Sequence, residues 1–268
     1  MKELTLRIVF GCIYTLLVIS SLYFSVNYFI VWFTILATAT LYEFLKLHNI
    51  QSFTPYLLMW ALLYVSMLYQ DTPTQMFWYL SLFACAINLL LAVWLYKGTL
   101  PLQSWQTQLV LWAYFLGGFV ILSRLAFLKT TFNPLFLVLV FVLIWSNDTL
   151  AFFIGKNFGK RKLFPKVSPN KTVEGFLGGG IATVITACLI PQFIKMETNT
   201  FLWIVIGLVI SVLGPLGDLI QSKFKRLAGV KNSGVLLPGH GGIYDRLDSV
   251  LYTAPFIYLI FKFLENVS

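Results

Sequence analysis

Charge is scarce in this sequence. Of its 268 residues only 11% are Asp, Glu, Lys or Arg, and 59% are hydrophobic, whereas soluble domains carry about 25% charged residues. That excludes an ordinary soluble enzyme. Cysteine is scarce as well: Cys12, Cys85 and Cys188 lie far apart, each inside an apolar run, so neither a disulfide framework nor a metal knuckle is suggested and all three read as small core hydrophobes. No Gly-x-x-x-x-Gly-Lys-Ser/Thr loop occurs, which removes Walker-type phosphate binding. Internal repeats and Ser/Gly-rich linkers are also missing.

What is present is a succession of apolar runs of the length needed to cross a hydrocarbon layer of roughly 30 Å. Polar punctuation such as His48-Asn49, Asp71-Thr72-Pro73, Lys97-Gly98 and Asn133-Pro134 divides them. The runs predict about nine transmembrane helices, near residues 8–24, 28–45, 55–69, 76–96, 106–128, 134–154, 173–194, 201–222 and 249–264. The expected fold is therefore an all-α, polytopic integral membrane protein. Its first run follows Lys2 and Arg7 as a signal peptide would, but no small-residue cleavage site precedes the second run, so it reads as a retained span. Most connections are short. The exceptions are two long polar loops, Gly155 to Thr172 and Lys223 to Asp248, and they divide the chain into N-terminal helices (1–130) and a C-terminal region carrying the chemistry (131–268).

The net charge of +9 suits anionic headgroups or an anionic substrate, and its distribution says more than its size. With the N-terminus in the cytoplasm and the C-terminus outside, all but four of the 19 Lys and Arg residues fall inside; only Arg124, Lys129, Lys195 and Lys262 do not. This matches the positive-inside rule and puts both long loops in the cytoplasm, where nucleotides are. Such a bias is also a topogenic signal that needs no ligand. The carboxylates shift the balance, because Asp148, Glu174 and Asp218 fall within or at the edge of apolar runs, where an ionised group is costly and is a functional candidate by default. Glu43, close to the end of its run, is a weaker candidate.

Asp218 ends "VLGPLGD", whose glycines and proline are expected to interrupt a helix and free carbonyls beside a cavity that could hold a hard cation. The bland alternative is a carboxylate paired with Lys223 or Lys225. In "PGHGGIYDRLDS", Gly239, Gly241 and Gly242 could let backbone N–H groups converge on an anion, and His240 could protonate or hydrogen-bond a phosphate oxygen. Asp245 and Asp248 share a face if a helix opens here. With Asp218 they would suit Mg²⁺, which takes few protein ligands. A helix cap and a tight turn would explain one aspartate but not the whole Gly/His/Asp-Arg-Leu-Asp pattern. Upstream, Asn147 and Asp148 lie in a helix that leaves the membrane near Gly155 and Gly159, and "SPNKTVEG" restarts one, with Thr172 as cap and Glu174 in its first turn.

The segment "SKFKRLAGVKNSGVLLPGHGGIYDRLD" resembles the C-terminal signature of the phosphatidate cytidylyltransferase (CDP-diacylglycerol synthase) family. Ser222, Lys225, Arg226, Lys231, Pro238, His240, Gly241, Gly242, Asp245, Arg246 and Asp248 all fall on its fixed positions. "NDTLAFFIGKNFGK" and "SPNKTVEGFLGG" are also similar to that family, so the likeness runs from about Asn147 to Asp248; the earlier runs share only hydrophobicity. One position departs, with Asn232 where the family usually has Asp, which leaves Asp218, Asp245 and Asp248 as the stronger carboxylates.

The resemblance implies CTP + phosphatidate → CDP-diacylglycerol + diphosphate, a reaction that asks for positioning and charge neutralisation rather than covalent help. It implies Mg²⁺, alone or with a second cation, on Asp218, Asp245 and Asp248. Lys225, Arg226, Lys231 and Arg246 would hold the nucleotide and lipid phosphates, with His240, Ser222, Gly241 and Gly242 beside them. Asn147, Asp148, Ser168, Lys171 and Glu174 would form the opposing wall. The expected partners are CTP, phosphatidate and membrane lipids, not nucleic acid, with a homodimer left open and the cytoplasmic membrane as location. The rival class is a secondary transporter of an anionic solute, which predicts inverted repeats and charges spread among several spans; here no repeat is visible and the charges crowd to one side. The Asp-Gly-x-x-Ala-Arg pattern of CDP-alcohol phosphotransferases is absent.

Overall fold

The computed structural model describes residues 20, 25–68, 74–97, 108, 110–128, 132–194, 199–234 and 241–267. Within them the chain is almost wholly helical. Helix α1 (Val26–Leu47) starts where the Ser25 hydroxyl accepts from Tyr28 N and stops at His48, before Asn49 turns left-handed at φ 54°. Helices α2 (Thr54–Leu68) and α3 (Thr74–Lys97) follow. A π-helical stretch, Val110–Leu116, then runs into α4 (Gly117–Arg124) and a 3₁₀ turn, Leu125–Phe127. Helix α5 (Leu135–Phe158) leads to an antiparallel hairpin of β1 (Lys162–Phe164) and β2 (Ser168–Thr172). Helices α6 (Val173–Phe193) and α7 (Thr200–Leu227), a 3₁₀ turn at Tyr244–Arg246 and α8 (Asp248–Val267) complete the fold.

The expected runs, so far as they are described, fall on helical stretches; the first, Ile8 to Phe24, lies outside the described residues apart from Ser20. Among the described residues, five helices are long and apolar enough to cross a membrane: α1, residues 75–96 of α3, α5, α6 and α7. Their outward faces carry large apolar side chains such as Tyr28, Leu90, Phe153, Ile181 and Phe193, as lipid contact requires. This is an all-α membrane protein with one small hairpin.

Three local features differ from expectation. Gly214 and Pro215 do not interrupt α7, which runs unbroken for 28 residues; a proline removes one helical donor, and neighbouring helices in a bilayer protein can compensate for it. Helix α7 also continues past residue 222 through Lys223, Lys225 and Arg226, so the second polar loop begins at Ala228. The first polar loop is shorter still, because α5 persists to Phe158 and Gly159 caps it before the hairpin.

Small residues set how closely the site-bearing helices approach. A Cβ on Gly179 of α6 would lie 2.7 Å from Ala151 Cβ and 2.8 Å from the Asn147 carbonyl of α5. A Cβ on Gly217 of α7 would lie 2.7 Å from Tyr252 Cβ and 3.0 Å from the Asp248 carbonyl of α8. Such contacts replace the missing hydrophobic drive between helices in lipid. They also bring Asp148, Asp218 and Asp248 to one end of the bundle. Beneath that end, Lys223 donates 2.6 Å to the Trp94 carbonyl near the C-terminus of α3 and lies 3.9 Å from the Trp94 ring, tying α7 to α3.

Candidate active site

Residues Asp218, Gln221, Ser222 and Lys225 lie three, four and seven apart on α7 and so share one face. The Ser222 hydroxyl donates to Asp218 Oδ1 at 3.1 Å, and Lys171 of β2 forms an ion pair with Asp218 Oδ2. Gln221 Nε2 and Lys225 Nζ both donate to Asp245 Oδ1, at 3.0 and 2.7 Å. The other oxygen of Asp245 accepts from Ser233 N at 3.0 Å and Gly242 N at 2.9 Å. Asp245 is thus the knot that holds α7, the 233 segment and the 241–246 turn together. Burial alone would raise its carboxyl, but the Lys225 ammonium and the two backbone donors outweigh it and hold Asp245 below the usual carboxylate range. For Lys171 the sign reverses: burial would lower the ammonium, and the Asp218 carboxylate raises it, so this residue stays cationic.

Of these residues Lys171, Asp218, Lys225 and Asp245 line a cavity of about 740 Å³. Asn147, Asp148, Ala151 and Phe152 come from α5, Ser168 and Lys171 from the hairpin, Pro215, Asp218 and Lys225 from α7, and Asp245, Arg246 and Asp248 from the C-terminal turn and α8. Asn147 is buried, its Oδ1 accepting from Thr183 at 3.3 Å, and Asp248 Oδ1 accepts from Ser249 N at 2.7 Å at the start of α8. Phe152, Leu163 and Phe176 are the large apolar side chains of its lining, alongside the polar Lys156, Lys162 and Asn170.

The structure places other expected residues elsewhere. Glu174 turns to the chain entering the hairpin, accepting from Lys160 N at 2.9 Å, Arg161 N at 3.1 Å and Arg161 Nε at 3.2 Å. Thr172 caps α6 through Gly175 N. Arg226 is exposed and donates to the Val230 carbonyl at 2.9 Å, and Lys231 and Asn232 are exposed beside it. Gly241 has φ 89°, a left-handed conformation that favours glycine, while Gly242 directs its N–H at Asp245. His240, with Pro238 and Gly239, lies outside the described residues.

Two contributors were underrated or missed in the sequence. Gln221 had a signal, its i+3 spacing from Asp218. Glu43 was ranked low for lying near a helix end, yet it is 1% exposed and accepts from Ser233 Oγ at 2.9 Å, Ile243 N at 3.1 Å and Tyr244 N at 3.0 Å.

Among the described residues no group of three His, Cys, Asp or Glu side chains is placed to hold a metal ion, so any cation here would rest on fewer carboxylates. The donor set still fits Mg²⁺. Asp148, Asp218, Asp245 and Asp248 offer hard oxygens to one open cavity, and Mg²⁺ is usually held by one or two carboxylates with water and substrate phosphates completing its shell.

The sequence matches the profile of the cytidylyltransferase family over residues 5–264. A phosphatidate cytidylyltransferase of Bacillus subtilis is 49% identical over 119 residues, 44% of each chain. One from Staphylococcus epidermidis is 42% identical over 125 residues, 47% of this chain and 48% of the relative, and one from Staphylococcus aureus shows the same values. The chain spans about half the length of the curated relatives it matches. A profile match running through both polar segments and the cavity they line leaves one assignment: the chain belongs to the cytidylyltransferase family.

Proposed function

We propose that this protein is a phosphatidate cytidylyltransferase, converting CTP and phosphatidate to CDP-diacylglycerol and diphosphate. The observation that carries the reading is the cavity itself, in which two Lys–Asp pairs and two further aspartates face a space also lined by aromatic and aliphatic side chains. A phosphate group needs the first and an acyl-glycerol chain the second. Relatives named for this activity are 42% and 49% identical to the chain over 125 and 119 residues.

In the proposed reaction a phosphate oxygen of the lipid attacks the α-phosphorus of CTP. The new P–O bond forms as the α–β bridging bond breaks, and the electron pair leaves with diphosphate. A phosphate anion is already a competent nucleophile, so the residues need to align and neutralise rather than deprotonate. Lys171 and Lys225 exchange their carboxylate partners for phosphate oxygens, and Arg246 grips a phosphate with two donors. Asp218 and Asp248 would hold Mg²⁺ with water and substrate phosphates completing its shell, supplying charge neutralisation at the transferring phosphorus, while Asp245 stays held by Gln221, Ser233 and Gly242. Phe152, Leu163 and Phe176 line the side from which the diacylglycerol portion reaches the site from the bilayer. In this arrangement about nine crossings of the cytoplasmic membrane put the N-terminus and both polar segments in the cytoplasm and the C-terminus outside.

The test is formation of organic-soluble label from radiolabelled CTP and phosphatidate by the purified protein with Mg²⁺. The expected product is CDP-diacylglycerol with one diphosphate released per turnover. No lipid-linked label with phosphatidate, across a range of divalent cations, overturns the reading.

A further inference from the structure

We propose that Glu43 is a positioning residue of the site: a carboxylate on α1 that holds the 233–246 segment in the shape in which Asp245 and Arg246 face the cavity. It stands 200 residues before Ile243 in the chain and is buried to 1% exposure. Among the described residues, three hydrogen bonds reach it from the segment it holds, one from Ser233 Oγ and two from the consecutive amides of Ile243 and Tyr244. Asp245 grips the same two stretches from the other side, through Ser233 N and Gly242 N. Ser233 is therefore divided between the two acids, hydroxyl to Glu43 and amide to Asp245. The three amides of 242, 243 and 244 are divided likewise.

The fit is close. The nearest atoms to a Cβ built on Gly234 all belong to the Glu43 side chain, and on Gly242 they belong to Glu43 and Ser233. These two glycines make room for the carboxylate. Tyr244 is fixed at its far end too, its hydroxyl donating to Tyr114 at 3.2 Å and its ring packing on Phe44 and Phe115. An acid suits the position because it accepts three hydrogen bonds and donates none. Glutamine would keep the shape but turn an NH₂ towards a buried donor, leaving that donor unsatisfied. The N-terminal helices thereby belong to the site's framework rather than serving only as a membrane anchor.

The experiment combines hydrogen exchange of the full chain in detergent with steady-state kinetics. Only the kinetic arm rests on the proposed activity. In Glu43→Gln the amides of Ile243 and Tyr244 should lose protection while those of α5 and α6 keep theirs. The turnover number should fall roughly 10-fold or more with little change in KM for CTP. If Glu43→Gln does not fold, Ser233→Ala, which removes one of the three bonds, should show the same local loss of protection with a smaller kinetic effect. A double-mutant cycle adds a second check: Gly234→Ala should be harmful alone and add little to Glu43→Ala, because the truncation vacates the space the new methyl needs. Exchange that rises evenly through the helices, turnover per folded molecule that stays at the wild-type value, or losses that multiply in the cycle would overturn the inference. Absence of any wild-type turnover would instead sink the proposed activity, with the exchange result still standing for or against Glu43.

Discussion

Asp218→Asn is the sharpest perturbation of the proposed chemistry, because it removes one charge and almost no volume. The Lys171–Asp218 pair is 26% and 32% exposed, and pairs with that much solvent contact contribute about 0–1 kcal/mol to stability. Ser222 loses at most one hydrogen bond, about 1 kcal/mol. The variant should therefore fold. Its effect on turnover should be larger, since under the proposed function the lost carboxylate charge would attract the Mg²⁺ that neutralises the phosphates, and a pair of unit charges about 4 Å apart at an effective dielectric of 20 is worth about 4 kcal/mol before further screening. Taking about two thirds of that, about 2.7 kcal/mol, gives a drop of roughly 100-fold. The assay is label transfer from CTP to lipid at saturating substrates, alongside thermal unfolding of the same preparation. Near-normal turnover with unchanged Mg²⁺ dependence would refute the reasoning and leave Asp218 as a partner for Lys171 and nothing more.

Cysteines introduced at Lys162 and Asn232 should react with an impermeant thiol reagent only from the cytoplasmic side, and labelling of both from outside would reverse the orientation. Gly179→Leu drives a side chain into Ala151 and the Asn147 carbonyl, so the unfolding temperature should drop by the equivalent of about 1–3 kcal/mol; a wild-type value would contradict the close α5–α6 approach. Burial between Phe44 and Phe224 pushes His48 down to about 4, against about 6.5 unfolded. Its contribution is thus complete above pH 6.5 and lost as pH falls towards 4, at up to about 1.4 kcal/mol per unit, and His48→Phe should flatten that part of a stability–pH curve measured in detergent. Asn232→Asp should be active and need less Mg²⁺ for half-maximal rate, while Asn232→Ala should lose less activity than Asp218→Ala; equal loss in a Mg²⁺ titration would make the neutral amide itself indispensable.

Hydropathy located the helices because a membrane span must satisfy its backbone internally, so span length and apolarity are written locally. The Thr172 cap was legible for the same reason: an N-cap involves residues three apart. The hairpin at 162–172 was not, since its outer residues are polar and exposed and its register shows no period-two apolar pattern. The continuation of α7 through Lys223 was not legible either, because in sequence its cations begin the second polar stretch. In the structure Lys223 is buried because the Trp94 carbonyl and ring receive its ammonium, a partner 129 residues away that no local pattern announces.

The glycines divide in the same way between local and distant causes. In sequence, Gly241 and Gly242 suggest a cradle for an external anion, because glycine is the usual residue where backbone amides converge. In the structure the anions they meet are internal: Gly242 N donates to Asp245, and its missing side chain leaves space for Glu43. Of these two, Gly241, with φ 89°, is the one required by backbone conformation. Among the described residues, the cations that line the cavity include Lys171, Lys225 and Arg246, and under the proposed function a phosphate would meet these side chains. The lysines are already held by Asp218 and Asp245. Under the proposed function, substrate binding would be an exchange of partners, carboxylate for phosphate, in which Asp218, released by Lys171, would be free to take a hard cation while Asp245 would stay held by Gln221, Ser233 and Gly242. The cost of separating the ion pairs would be offset by gaining both contacts at once, which would couple nucleotide and cation binding.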